Sequence, residues 1–151
     1  MSRTVKSWSI DTDAGQETAF SYLTDVAKHS EWSPKPFRVE MTSDAPLQVG
    51  STFRSFGSLP GDKDHTNDVE VTALDAPRLL VLNSIDKGES FVSRFEVSPA
   101  GDGSRITRTM DFANPTGALG LAFPLIMALV IKPDVSKGMR NLQERLNALG
   151  H

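Results

Sequence analysis

His65 is the first residue whose type and spacing could do chemistry. Period-two spacing places it on the same side of a predicted strand as Asn67, Val69 and Val71, near one end of that strand. A neutral imidazole on an inner face could polarise or deprotonate a bound carbon acid as a general base. The alternative is that the strand begins later, which would leave His65 in an exposed turn after residues 61–64.

Arg108 is the second candidate, because Ile106 and Met110 share its phase and have the character of buried residues. An inward guanidinium stays charged and could bind a ligand carboxylate or phosphate through two parallel hydrogen bonds. Two alternatives stay open: an internal ion pair with an acidic residue, or the opposite orientation, with Thr107 and Thr109 facing inward. An unpaired buried charge is too costly for Arg108 to have no partner at all.

Motifs for metal, cofactor or nucleophilic chemistry are missing from the sequence. The chain has no cysteine, and His29, His65 and His151 are not spaced as metal ligands, so we predict no metal site. A nucleophile elbow, a phosphate-binding glycine loop and a dinucleotide fingerprint are all missing, so we predict no cofactor. No catalytic constellation emerges, and the sequence leaves open whether the protein is an enzyme.

Composition narrows the classes of partner. The 151 residues carry a formal net charge of −3, which argues against a surface built to neutralise nucleic-acid phosphates. The N-terminal residues lack the apolar stretch of a signal peptide, so we expect a cytoplasmic protein. The length and the lack of linkers or repeats predict one domain over residues 1–151.

The pattern of hydrophobic residues predicts the strands and helices that position His65 and Arg108. A first strand over 5–11 is followed by short helices near 15–23 and 25–32, and then by six strands. Those strands are predicted at 37–42, 51–57, 65–74, 78–85, 91–97 and 104–112, with turns at 58–64 and 86–89 between them. Everything after Asn114-Pro115 has a helical pattern.

One segment of that last helix is unusually apolar. Residues 118–131 carry no charge, yet at about 1.5 Å per residue they span only about 20 Å, less than the ~30 Å hydrocarbon core of a bilayer. We therefore predict a helix buried on most sides and no membrane span. Pro133 should either kink this helix or split it in two.

These elements predict an α+β fold in which a bent antiparallel sheet has one face covered. The C-terminal helix is the large apolar element left to cover that face. Because one helix cannot fill the hollow of a strongly bent seven-stranded sheet, we expect an apolar cavity between them. Such a cavity is by default a candidate ligand site.

Five local motifs stand out along the chain: AFSYLTDVAKHSEWSP (Ala19 to Pro34), VGSTFR (Val49 to Arg54), VTALDAPRLLVL (Val71 to Leu82), SRITRTMDF (Ser104 to Phe112) and the terminal GMRNLQERLNALG. These motifs and the order of elements resemble the helix-grip (SRPBCC) superfamily, which includes START lipid-transfer domains, the birch-pollen allergen and polyketide cyclases. The similarity is greatest to the bacterial polyketide cyclase/dehydrase and lipid-transport branch. It implies a helix-grip fold: a seven-stranded curved antiparallel sheet around a long C-terminal helix, with two short helices after the first strand.

The resemblance and the strand phases together predict which side chains line the cavity. They are Trp32, Phe37, Phe53, His65, Asn67, Val69, Val71, Leu82, Phe91, Phe95, Arg108, Met110, Phe112, Leu121, Leu125, Leu129 and Met139. The leading functional hypothesis is binding or transport of a small hydrophobic molecule such as a lipid, a polyketide or an aromatic metabolite, by a monomer or homodimer. The alternatives are a cyclase or dehydratase type of enzyme that uses His65 or Arg108, and a protein-interaction or regulatory module.

Overall fold

The computed structural model describes residues 3–59, 62–86 and 89–150 and has the predicted order of elements. The strands are β1 (Arg3–Thr12), β2 (Arg38–Met41), β3 (Thr52–Leu59), β4 (Asp62–Asp75), β5 (Leu79–Asp86), β6 (Glu89–Ala100) and β7 (Gly103–Ala113). The helices are α1 (Gln16–Thr24), a 3-10 helix (Val26–Glu31), α2 (Gly117–Ile126), a π-helical segment (Met127–Ile131) and α3 (Lys132–Leu149). Within the predicted turns 58–64 and 86–89, residues 60–61 and 87–88 lie outside the described residues, as does residue 151, and the other turn residues belong to strands.

The seven strands form one antiparallel sheet in the order β1-β7-β6-β5-β4-β3-β2. Alternation along each strand sends one set of side chains to the inner face. Phe53, Val69, Leu82, Phe95 and Ile106 are buried there and form much of the core. The predicted α+β helix-grip architecture is therefore confirmed.

Helix α3 covers the inner face of the sheet. Val135, Met139, Leu142 and Leu146 recur at helical spacing and are buried, whereas Arg140 and Glu144 lie on the exposed side. This amphipathic half of the C-terminal helix holds the sheet closed over its core.

The prediction that residues 118–131 form a buried helix is wrong. Leu119, Leu121, Leu125 and Leu129 are 56%, 88%, 62% and 67% exposed. The inner face is already covered by α3 and the 3-10 helix, so α2 lies beyond the core, and its ring contact with the sheet is that of Phe123 with Phe112. The apolar composition predicts burial, but the sheet offers this segment no surface to bury against.

Pro133 neither splits nor sharply ends the helix, which runs without a break from Gly117 to Leu149. A proline lacks the N–H that would bond the carbonyl four residues earlier, here that of Leu129. The π-helical segment Met127–Ile131 lies just before Pro133. Its wider hydrogen-bond spacing accommodates the missing N–H of the proline without a break in the helix. By length and composition this helix could cross a membrane. Only 6% of its most apolar 18-residue stretch is buried in the protein.

Candidate functional site

A cleft of about 170 Å³ lies between α3, the 3-10 helix and the inner face of the sheet. Its walls combine aromatic and aliphatic side chains with one arginine and one aspartate. The lining residues are His29, Trp32, Ser33, Pro34, Phe37, Arg108, Asp134, Val135 and Gly138. We call this the Arg108 cleft.

Arg108 faces inward from β7 and is half-buried. Its Nε donates a hydrogen bond to Ser93 Oγ on β6 at 3.0 Å. Its guanidinium carbon lies 5.1 Å from the ring centre of Phe95 and 5.6 Å from that of Trp32, both within cation–π range. Burial lowers the pKa of Arg108 to about 10, so the group is still charged at neutral pH.

The structure contradicts both alternatives for Arg108, namely the opposite orientation of the strand and an internal ion pair. Thr107 and Thr109 share hydrogen bonds with Ser9 and Ser7 of β1 on the outer face, each at 2.9 Å. Among the described residues, no carboxylate lies within ion-pair distance of the guanidinium. Asp134 lines the same cleft but pairs with Lys35 at 2.9 Å.

His29 and Trp32 form the wall opposite Arg108, on and directly after the 3-10 helix. Their ring centres lie 5.0 Å apart, and His29 Nε2 makes a 2.7 Å hydrogen bond with the carbonyl oxygen of Leu23. Burial lowers the pKa of His29 to about 4, against the smaller opposite effect of the Leu23 bond, and the nearby Arg108 charge lowers it further. At neutral pH this imidazole is therefore uncharged, and it adds no positive charge beside that of Arg108.

A second cleft, of about 160 Å³, contains His65. Its lining residues are Ser33, Pro34, Lys35, Pro36, Phe37, Ser55, Gly57, His65 and Asn67. Ser33, Pro34 and Phe37 line both clefts, so this short segment separates the two. Phe37 rests against Gly57 of β3, where an added Cβ would lie 3.7 Å from the ring.

His65 is buried on the inner side of β4, because the strand begins at Asp62 and not after the charged residues. Its Nε2 lies 2.7 Å from Asp86 Oδ2 at the end of β5. The exposed-turn alternative therefore does not hold. The carboxylate fixes the orientation of the imidazole, as a second group does in many acid–base pairs.

Three buried polar atoms of the described residues make no hydrogen bond: Trp32 Nε1, Asn67 Oδ1 and Asp86 Oδ1. Trp32 lines the Arg108 cleft, and Asn67 lines the His65 cleft. Buried polar atoms of folded proteins are usually paired, so each of these atoms has capacity left for a ligand group.

The predicted lining residues divide into three groups. The two clefts contain Trp32, Phe37, His65, Asn67 and Arg108. The second group lines neither cleft. Seven of its members are buried in the core, where Phe95 still lies beside Arg108: Phe53, Val69, Val71, Leu82, Phe95, Met110 and Met139. The other two, Phe91 and Phe112, are partly buried against the core and stack with ring centres 5.8 Å apart. The third group was wrongly assigned to the cavity: Leu121, Leu125 and Leu129 are exposed, because α2 projects beyond the sheet.

Six residues that line the Arg108 cleft were not predicted from the sequence: His29, Ser33, Pro34, Asp134, Val135 and Gly138. Ser93, the hydrogen-bond partner of Arg108, was not predicted either. His29 precedes Trp32 by three residues, a helical spacing that could have placed both on one face. Ser93 shares its phase with Phe91 and Phe95, and Gly138 falls on the buried side of α3. No cluster of three or more histidine, aspartate or glutamate side chains suited to a metal occurs within the described part of the chain.

Residues 4–147 match a family model described as polyketide cyclase/dehydrase and lipid transport. No curated protein matches the sequence. Among solved structures, the Zhui aromatase/cyclase of a Streptomyces species is similar, with a TM-score of 0.79, 11% identity and coverage of 96% of this chain and 94% of that one. Ginseng major latex-like protein 151 from Panax ginseng has a TM-score of 0.71 at 12% identity, covering 95% and 97%. Protein Ms6760 of Mycobacterium smegmatis has a TM-score of 0.67 at 16% identity, covering 96% and 92%.

Proposed function

The chain belongs to the polyketide cyclase/dehydrase and lipid transport family, and we propose that it binds a small hydrophobic molecule carrying an anionic or carbonyl oxygen in the Arg108 cleft. The apolar part of the ligand would pack on Trp32, Phe37 and Val135. The oxygen would accept hydrogen bonds from the guanidinium of Arg108.

The observation that carries this proposal is a half-buried guanidinium without a carboxylate partner. A charge removed from water costs free energy unless an opposite charge or several hydrogen bonds compensate. Ser93 provides one neutral acceptor, while arginine has five N–H donors. The remaining donors suit a planar carboxylate or a carbonyl oxygen, and the neighbouring aromatic rings favour an aromatic or acyl body.

The dimensions of the site set the size of the ligand. Small-molecule sites typically enclose about 300 to 1,000 Å³, so the Arg108 cleft alone accepts only a compact molecule. The His65 cleft adds a similar volume on the other side of Phe37. We propose that the Phe37 side chain, which lines both clefts, moves aside for a longer ligand, which would then extend from Arg108 to His65.

Native mass spectrometry of freshly purified protein, before and after organic extraction, tests this proposal. We expect a copurifying acidic or carbonyl-containing hydrophobic molecule in the wild-type protein and its loss from Arg108→Met. The control is Arg54→Met, because Arg54 is an exposed arginine paired with Asp68 on the outer face. Equal ligand occupancy in Arg108→Met and wild type would contradict the proposal.

A second candidate function, a cyclase or dehydratase type of enzyme, is favoured by the His65–Asp86 pair. A buried imidazole oriented by a carboxylate next to a cleft can move a proton to or from a bound carbon acid. The test is deuterium exchange at the carbon next to the carbonyl of an aromatic ketone, followed by NMR. Enzymatic function predicts that His65→Ala abolishes protein-catalysed exchange without weakening ketone binding, and no exchange by the wild type would exclude it for this substrate class.

The remaining parts of the proposal concern setting and partners. We propose a cytoplasmic monomer or homodimer that does not bind nucleic acid. The net charge of −3 supports the last of these points, because a negative protein is repelled by nucleic-acid phosphates.

A further inference from the structure

The segment of residues 117–131, which comprises α2 and the π-helical segment, is an apolar helix exposed on most of its surface. Leu121 and Leu129 are 88% and 67% exposed, and the segment contains no charged side chain. Exposed apolar surface of this extent on a folded domain marks an interaction site.

The angular distribution of the exposed residues indicates what kind of partner fits. At 3.6 residues per turn, the exposed positions from Pro124 round to Leu119 cover an arc of roughly 220°. A helix that docks in a groove on another protein needs an apolar stripe of only about 100°. An arc this wide suits a medium that surrounds the helix, which is the acyl region of a lipid bilayer.

Charged residues next to the segment favour an anionic surface. Lys132 follows the segment directly, and Lys137 is exposed one turn further along α3. Neither lysine makes an ion pair or a side-chain hydrogen bond in the described part of the chain, whereas the nearby carboxylates Asp134 and Asp111 are paired with Lys35 and Arg3. The charges left over at this end of the helix are positive, and they would attract anionic headgroups.

The anchoring of α3 determines how the helix can meet a bilayer. Leu142 and Leu146 are completely buried against the sheet, so the second half of the 33-residue helix is not available to cross a membrane. The free segment is 10 residues of α2 and 5 of the π-helical segment, about 22 Å long, whereas a hydrocarbon core is ~30 Å thick. The segment is therefore suited to lie within one leaflet and not to span both.

We propose that residues 117–131 insert into the interfacial region of an anionic lipid bilayer, with Lys132 and Lys137 at the headgroups. This docking surface is separate from the Arg108 cleft. It would allow the protein to exchange a hydrophobic ligand at a membrane, but it does not depend on what the cleft binds.

The test is flotation of the full chain with two kinds of vesicle, one of pure phosphatidylcholine and one with about a quarter phosphatidylglycerol. We expect binding to the anionic vesicles and a loss of about tenfold or more in the Leu121→Glu/Leu125→Glu variant. The matched control is Leu149→Glu, because Leu149 is 53% exposed at the other end of the same helix; it should bind like the wild type. Lys132→Glu should weaken binding to anionic vesicles and leave the weaker binding to neutral vesicles unchanged.

Three results would overturn the proposal. One is wild-type protein that floats with neither kind of vesicle, and another is a Leu121→Glu/Leu125→Glu variant that binds as well as the wild type. The third is a wild type that light scattering shows to be a homodimer, together with a Leu121→Glu/Leu125→Glu variant that is monomeric but floats like the wild type. That result would assign the segment to self-association. Circular dichroism and ligand binding at Arg108 check that the variant is folded, and a failure of ligand binding in the wild type would leave the vesicle result unaffected.

Discussion

Arg108 Nε of β7 lies 3.0 Å from the hydroxyl oxygen of Ser93 on the neighbouring strand β6. The two residues are diagonal neighbours, since Ser93 pairs in register with Met110 and Arg108 with Phe95. A neutral hydroxyl therefore holds the cation in place without neutralising its charge. The fold keeps a positive charge in an aromatic cleft, which costs desolvation free energy. A bound anion would offset that cost.

Replacing Arg108 by methionine should leave the protein as stable as the wild type or stabilise it by about 1 to 2 kcal/mol. A methionine of similar volume keeps the packing and removes the desolvation cost of the charge. Urea denaturation of ligand-free protein measures the change. A loss of about 3 kcal/mol or more would show that Arg108 holds the fold together and is not kept for a ligand.

His29 should make the stability of the protein depend on pH. Its pKa is about 4 in the folded protein and 6.5 in the unfolded chain, so the unfolded state binds more protons between these values. Its contribution is fully present above about pH 6.5 and is lost as the pH falls towards 4. Between about pH 7.5 and pH 5 the loss from this residue is about 2 kcal/mol.

Urea denaturation of wild type and His29→Gln at both pH values isolates that contribution, because all other groups titrate in both proteins. Glutamine keeps a donor for the Leu23 carbonyl but does not titrate. The free energy of unfolding should therefore fall about 2 kcal/mol less in the variant. Parallel pH dependences in the two proteins would mean that His29 is solvated well enough to titrate normally.

The partly buried pair His65 and Asp86 should show strong energetic coupling. A double-mutant cycle with His65→Ala and Asp86→Ala should give a coupling free energy of about 1.5 to 3 kcal/mol, the range for hydrogen bonds to a charged group. The exposed pair Arg54 and Asp68 is the internal control and should give less than about 1 kcal/mol. Equal coupling in both cycles would contradict the orienting role that we give to Asp86.

Filling the Arg108 cleft from the helix side should block the site. Any side chain at Gly138 begins with a Cβ only 3.3 Å from Pro34 Cδ, so Gly138→Leu must extend into the cleft. We expect about a tenfold loss of affinity for anilinonaphthalene sulfonate, a fluorescent aromatic anion. The cost of overpacking, about 1 to 3 kcal/mol, is partly offset by about 1 kcal/mol of helix propensity. Arg140→Leu, on the exposed side of α3, should bind the probe like the wild type, and unchanged binding by Gly138→Leu would place the ligand elsewhere.

The strands and the inward phase of Arg108 were predictable because side-chain alternation has a fixed period of two. Ile106 and Met110 are buried, and Arg108 between them has to share their face. The start of β4 was harder to predict, because residues 62–64 have the charged composition of a turn. In the structure these residues belong to β4 because β4 pairs with β3. Pairing between strands cannot be predicted from the composition of one short segment.

The exposed apolar helix could not be predicted from its composition. Hydrophobicity indicates that residues 118–131 leave water, but it does not indicate what covers them. That depends on how much of the inner face α3 already occupies, which is decided by residues such as Leu142 and Leu146 further along the chain. The identity of Ser93 as the partner of Arg108 depends in the same way on the register between β6 and β7.

The most direct test of ligand recognition by Arg108 is a pair of fluorescence titrations with matched probes. Anilinonaphthalene sulfonate carries a negative charge, and phenylnaphthylamine has the same rings without it. We expect the wild type to bind the anion about tenfold more tightly than the neutral probe, equivalent to about 1.4 kcal/mol, and Arg108→Met to lose that preference. An anion preference that persists unchanged in Arg108→Met would contradict the proposal that Arg108 recognises the ligand's charge.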